Sequence, residues 1–162
     1  MQPPQRSAIV GGSVYADVGR PFTFSDVVMR NFGDYPIVVD GVSLVESTPG
    51  IKIVGLLAAR TPPNWISGDA DYPPPFSFPM RPLKGYVIPP GENASHKSVL
   101  VIMGLEVSRN GVSGFSAVRI HYHVGSTRFE YIEAYGLAAC APSSKYSQGE
   151  HPDCHARLYE QG

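Results

Sequence analysis

The chain has 162 residues, 13 Lys and Arg against 14 Asp and Glu, and a formal net charge of −1. That length is most simply one domain with a real core, and with no basic block it lacks the electrostatic footprint of a nucleic-acid binder. The 17 glycines and 16 prolines lie scattered between apolar runs, a pattern of many turns rather than of disorder, and there is no run of about 18 apolar residues to span a membrane.

Residues 1–12 (MQPPQRSAIVGG) read as a flexible N-terminal segment without the apolar stretch of a signal peptide. Residues 13–18 are expected to form a first edge strand. Residues 22–30 (FTFSDVVMR) begin with alternation, and Asn31 to Pro36 is a turn cluster. Residues 37–46 and 51–59 are apolar enough for central strands. Residues 84–88 form a short strand ended by Pro89-Pro90-Gly91, and residues 97–107 are the most apolar run. No segment holds helical periodicity over the ten or so residues a helix assignment needs. The fold class expected is all-β, an antiparallel two-sheet sandwich of about eight strands with negligible helix. The sandwich is expected over 13–138, with 139–162 as a C-terminal tail.

One segment interrupts the strand rhythm. Thr61 to Pro82 holds seven prolines and the single Trp. A loop of this length is uncommon in a compact domain. Two readings stand. Its aromatics anchor the loop on the sandwich, or they form a binding surface built from Trp65, Tyr72, Phe76, Phe78, Met80 and Arg81.

The clearest local pattern is FSAVRIHYHVGSTRFEYIEAY, residues 115–135. Val118, Ile120, Tyr122 and Val124 fall on one face, and Arg119, His121 and His123 on the other. Gly125-Ser126 suits a type II′ hairpin turn. Val124 should then face Thr127, Tyr122 face Phe129, His121 face Glu130, and His123 face Arg128. Two imidazoles and a carboxylate, His121, His123 and Glu130, make a candidate ligand set for Zn or Cu. Arg128 on the same face opposes a cation, and the alternative is an ordinary polar outer surface.

Cys140 and Cys154 lie close together in a tail poor in core residues, and a bridge between them would tie it down. Such staples belong to oxidising compartments. His151-Pro152-Asp153-Cys154-His155 is ligand-rich but fits no standard zinc spacing. Leu137–Cys140 matches a lipobox in the wrong place, and Asn93-Ala94-Ser95 matches a glycosylation acceptor by chance. P-loop, dinucleotide and G-x-S-x-G signatures are missing.

Asn31-Phe32-Gly33, Pro36-Ile37, Val42 and Leu44, followed by Pro89-Pro90-Gly91-Glu92 before an apolar strand, form a pattern of strands and turns. It resembles the immunoglobulin-like extracytoplasmic domains of bacterial, especially actinobacterial, proteins of unassigned activity. The resemblance implies a sandwich with a signal or membrane anchor upstream and no known activity. The first functional expectation is therefore a non-enzymatic extracytoplasmic recognition or structural module that needs no cofactor. Its partner would be a protein or a component of the cell envelope, with no membrane span within this chain. The alternatives are a cupredoxin-like metal site using His121 and His123 with His151 or His155, a hydrolase grafted on the sandwich, and a cytoplasmic setting.

Overall fold

Among the described residues, short apolar runs separated by Gly, Pro and Asn fold as 11 strands, with a helical turn after the last of them. The computed structural model describes residues 11–63, 65, 71–91, 98–146 and 154. In chain order the strands are β1 (Gly11–Tyr15), β2 (Phe22–Met29), β3 (Ile37–Val45), β4 (Ile51–Arg60), β5 (Arg81–Pro82), β6 (Val87–Ile88), β7 (Val99–Val107), β8 (Gly111–Phe115), β9 (Ala117–Val124), β10 (Thr127–Glu133) and β11 (Gly136–Ala141). The helical turn, α1, is Ser143–Tyr146.

The strands form three sheets, ordered β1-β11-β8, β2-β7-β4-β5 and β10-β9-β3-β6. All-β architecture with negligible helix is as expected. Three details differ. There are three sheets instead of two, 11 strands instead of about eight, and the β1–β11 pair is parallel. The extra sheet arises at Ser116. Residues 111–124 follow on almost without a break, but the backbone turns a corner there, so β8 enters the first sheet and β9 the third. Val45 O accepts both the Ser116 N–H at 3.0 Å and its hydroxyl at 3.2 Å, which holds the corner.

β7 shows how sequence becomes layering. It is apolar almost without a break because both its faces are covered. Val99, Val101, Met103, Leu105 and Val107 point into the main core. Leu100 and Ile102 point the other way, under the Thr61–Pro82 segment. Residues of all three sheets meet in the main core, among them Val14, Phe24, Val39, Phe115, Ile120 and Leu137. Phe24 and Phe115 meet edge to face at 5.5 Å, a favoured ring geometry.

Residues 1–10 lie outside the described residues, and Gly11 and Gly12 already belong to β1. β11 runs through the expected 138/139 boundary and is buried along its whole length. One of its faces joins the main core. The other, with Ala138 and Cys140, packs on Tyr146, Cys154 and Val112. A disulfide joins Cys140 to Cys154, with Cα atoms 6.1 Å apart, as the sequence suggested. Asp17 adds a second tie. The Ser143 N–H (3.0 Å) and hydroxyl (2.9 Å) both donate to its carboxylate. These bonds, the backbone one first, hold the Asp17 carboxyl below the usual carboxylate range.

Candidate functional site

The β9–β10 hairpin has the anticipated register. Val124 pairs with Thr127, His123 with Arg128, Tyr122 with Phe129 and His121 with Glu130. Gly125 takes φ 58° and Ser126 does not share a positive φ, which is the II′ pattern. Tyr122 shares a face with buried Val118 and Ile120, yet it is only half-buried itself. Its ring stacks on Phe129 at 5.5 Å.

On the opposite face the polar groups pair in two separate sets. The β3–β9 register shifts between Val39 and Gly41. The bulge re-aims Asp40, and its carboxylate accepts from His123 Nδ1 at 2.8 Å. His121 sits elsewhere. Its Nε2 shares a hydrogen bond with the Ser43 hydroxyl at 3.1 Å, and its Nδ1 lies 3.5 Å from Glu130. Glu130 is also 3.5 Å from Arg119 Nε. Of the candidate ligand set, then, His121 and Glu130 come together while His123 turns to Asp40. Among the described residues no group of three or more His, Cys, Asp and Glu is placed to hold a metal ion. His151 and His155 lie outside the described residues, as does Asn93-Ala94-Ser95. Asp40 is the site residue that sequence reasoning passed over. Its signal was Asp40-Gly41 inside an apolar strand, where a glycine marks a bulge. A cleft of about 660 Å³ opens beside this pairing, lined by Asp40, Lys84, His121, Tyr122, Arg128, Phe129 and Glu130.

The described aromatics of the Thr61–Pro82 segment lie on the outer face of the β2-β7-β4-β5 sheet. Trp65, Tyr72, Phe76, Phe78 and Met80 pack there over Ala59, Leu100 and Ile102. Trp65 meets Phe76 and Phe78 edge on at 5.1 and 5.7 Å, and Phe76 stacks on Phe78 at 4.9 Å. The indole N–H donates to the Ser25 carbonyl at 3.3 Å. Tyr72 lies over two glycines that are register partners, Gly55 of β4 and Gly104 of β7. A Cβ on either would stand 2.6 Å from a carbon of its ring. Burial raises the Tyr72 phenol above its usual value. All five side chains remain half-buried rather than closed off.

Arg81, the sixth residue of the predicted binding set, is exposed on β5. With Phe78 it lines a cleft of about 460 Å³ between the segment and the ends of β4, β6 and β7. Pro79, Val87, Pro89 and Tyr86 line the same cleft, with Arg60 at its side. Its charged lining residues, Arg60 and Arg81, are both cations. Comparison of the chain with protein-family models finds no match, and comparison with curated proteins finds none either.

Proposed function

We propose that the chain is a non-enzymatic recognition module, an extracytoplasmic and immunoglobulin-like β-sandwich that grips a partner segment beside the Thr61–Pro82 loop. The observation that carries this reading is the 460 Å³ cleft with its apolar lining and two arginines. Phe78, Pro79, Val87 and Pro89 offer surface to an apolar side chain. Arg60 and Arg81 offer planar donors to a carboxylate beside it. The fitting partner is an extended peptide segment with an aromatic or aliphatic residue next to Asp or Glu. Trp65, Tyr72, Phe76 and Met80 hold the cleft wall in place by packing on the sheet. Prolines already fix φ at many loop positions, so less freedom is lost on binding. The Cys140–Cys154 disulfide supports the oxidising compartment.

The test is selection from a random peptide display library on the immobilised, oxidised protein. Enriched peptides should combine an apolar residue with a neighbouring Asp or Glu. Their binding should fall at least tenfold in Arg81→Glu, with unchanged thermal stability. Enriched peptides that bind Arg81→Glu and Phe78→Ala as well as the parent protein would exclude this cleft.

A further inference from the structure

The three sheets treat their edges differently. β5 and β6 are two residues long, and prolines sit at both, Pro82 within β5 and Pro89 after β6. β2 carries a register shift, and Asp71 bridges to it through Phe22 and Thr23. Short length, proline, bulges and covering loops are the devices that stop an edge from pairing with another chain. Among the described residues β10 has none of these four, and its charges are of both signs, Arg128 with Glu130 and Glu133. It is seven residues long without proline, and its register against β9 is unbroken. Among the described residues β9 is its one neighbour in the sheet. Thr127 to Ile132 are all exposed, with Phe129, Tyr131 and Ile132 at 44, 45 and 50%.

The turn decides which backbone groups face outward. Val124 and Thr127 flank a two-residue turn, so they form a hydrogen-bonded pair. Alternation then directs the N–H and C=O of Phe129, Tyr131 and Glu133 to β9. Those of Arg128, Glu130 and Ile132 point to the open edge.

We propose that this edge pairs antiparallel with β10 of a second copy of the chain, about a two-fold axis at Phe129. Outward-facing groups must meet outward-facing groups, so the axis falls on a residue of the strand. Placed on Arg128, it opposes arginine to arginine. Placed on Glu130, it opposes glutamate to glutamate. Placed on Phe129, it sets Arg128 against Glu130 of the second copy, and the symmetry repeats that pair. Opposite charges directly across a ladder stabilise it, and like charges destabilise it. The Phe129 rings then face each other in a pair without ladder hydrogen bonds, where side chains lie closest. Each ring already stacks on Tyr122, so the pairing makes one continuous apolar strip across the two copies. The contact is isologous and closes on itself, as two-fold dimers do. A single strand edge is a small interface, so the dimer forms in a concentration-dependent way.

Sedimentation velocity on the intact, oxidised chain tests this. The parent protein should shift from monomer to dimer as concentration rises. Arg128→Glu and Glu130→Arg should each stay monomeric, because like charges then face across the axis. An equimolar mixture of the two should dimerise again, and so should the double reversal. Glu130 also lies near Arg119 and His121 within its own chain, so circular dichroism of each variant checks that the fold persists. The rescue by mixing does not depend on those internal contacts. As a second measurement, Phe129→Cys should form an intermolecular disulfide under oxidation much faster than Tyr131→Cys. A parent protein that stays monomeric at every accessible concentration overturns the proposal. So does a dimer indifferent to both charge reversals, or a mixture that fails to associate.

Discussion

Replacing Gly104 by alanine probes how the Thr61–Pro82 segment is held. The new Cβ would stand 2.6 Å from Tyr72 Cδ1, whereas carbon atoms in contact prefer about 3.5–4.0 Å. The ring must therefore lift by about 1 Å. Below it is strand backbone, so the ring and its loop have to yield. Overpacking of this kind costs about 1–3 kcal/mol. Alanine returns about 0.5–1 kcal/mol by restricting the unfolded chain. The net loss is about 0–2.5 kcal/mol, and each kcal/mol lowers Tm by about 2–4 °C in a chain of this size. Tyr72→Ala alone should cost about 2 kcal/mol, below the fully buried aromatic range because the ring is half-buried. The decisive measurement is the double variant, followed by urea denaturation with circular dichroism. With the ring removed, Gly104→Ala should become neutral or stabilising, giving a coupling of about 1–3 kcal/mol. An equal cost of Gly104→Ala in both backgrounds would refute the view that these glycines seat Tyr72.

Three further outcomes are expected. Mass spectrometry without reductant should find the chain two hydrogens lighter than after reduction, and reduction should cost roughly 3 kcal/mol for a loop of this size; two free thiols in protein from an oxidising compartment would contradict the Cys140–Cys154 bridge. Tyr122→Ala should cost about 2 kcal/mol for a half-buried stacked ring and His121→Ala within about 0.5 kcal/mol, as read by chemical denaturation; the reverse order would mean an inverted register. The Asp17 carboxyl is held low by Ser143, so its contribution is present above the ordinary carboxylate pKa and is lost as pH falls through the lower folded value. Asp17→Asn, which removes the titrating group, should therefore flatten the acid limb of the Tm–pH profile, and an unchanged limb would count against the tie.

Several parts of this fold are legible in the sequence because they depend on local signals. Period-two alternation and Gly125-Ser126 define the hairpin down to its residue pairs. The long apolar run of β7 announces a strand covered on both faces. Other parts depend on partners distant in the chain. β11 reads GLAACA, small residues with weak strand preference and no alternation; it becomes a strand because β1 and β8 flank it and both its faces are buried. Asp40 meets His123 because of a bulge that exists only against β9. The loop aromatics sit where the paired glycines of two other strands leave room. The same segment both packs on the sheet and lines a cleft, so its side chains combine two roles that its sequence offers as alternatives.

The corner at Ser116 bears on how the molecule comes apart. β8 and β9 are successive stretches of one backbone, separated by a single residue and serving different sheets. Thr48 grips the same region, donating its N–H to Gly114 O at 2.8 Å while its hydroxyl accepts from the Gly114 N–H at 3.0 Å. A fluctuation that frees β8 thus pulls on β9, and one that opens the β3–β9 ladder loosens the first sheet. The two sheets behave as a single cooperative unit. The ladder amides of β8 and β9 should exchange with solvent at a common rate, so that the hinge between the sheets is also their lock.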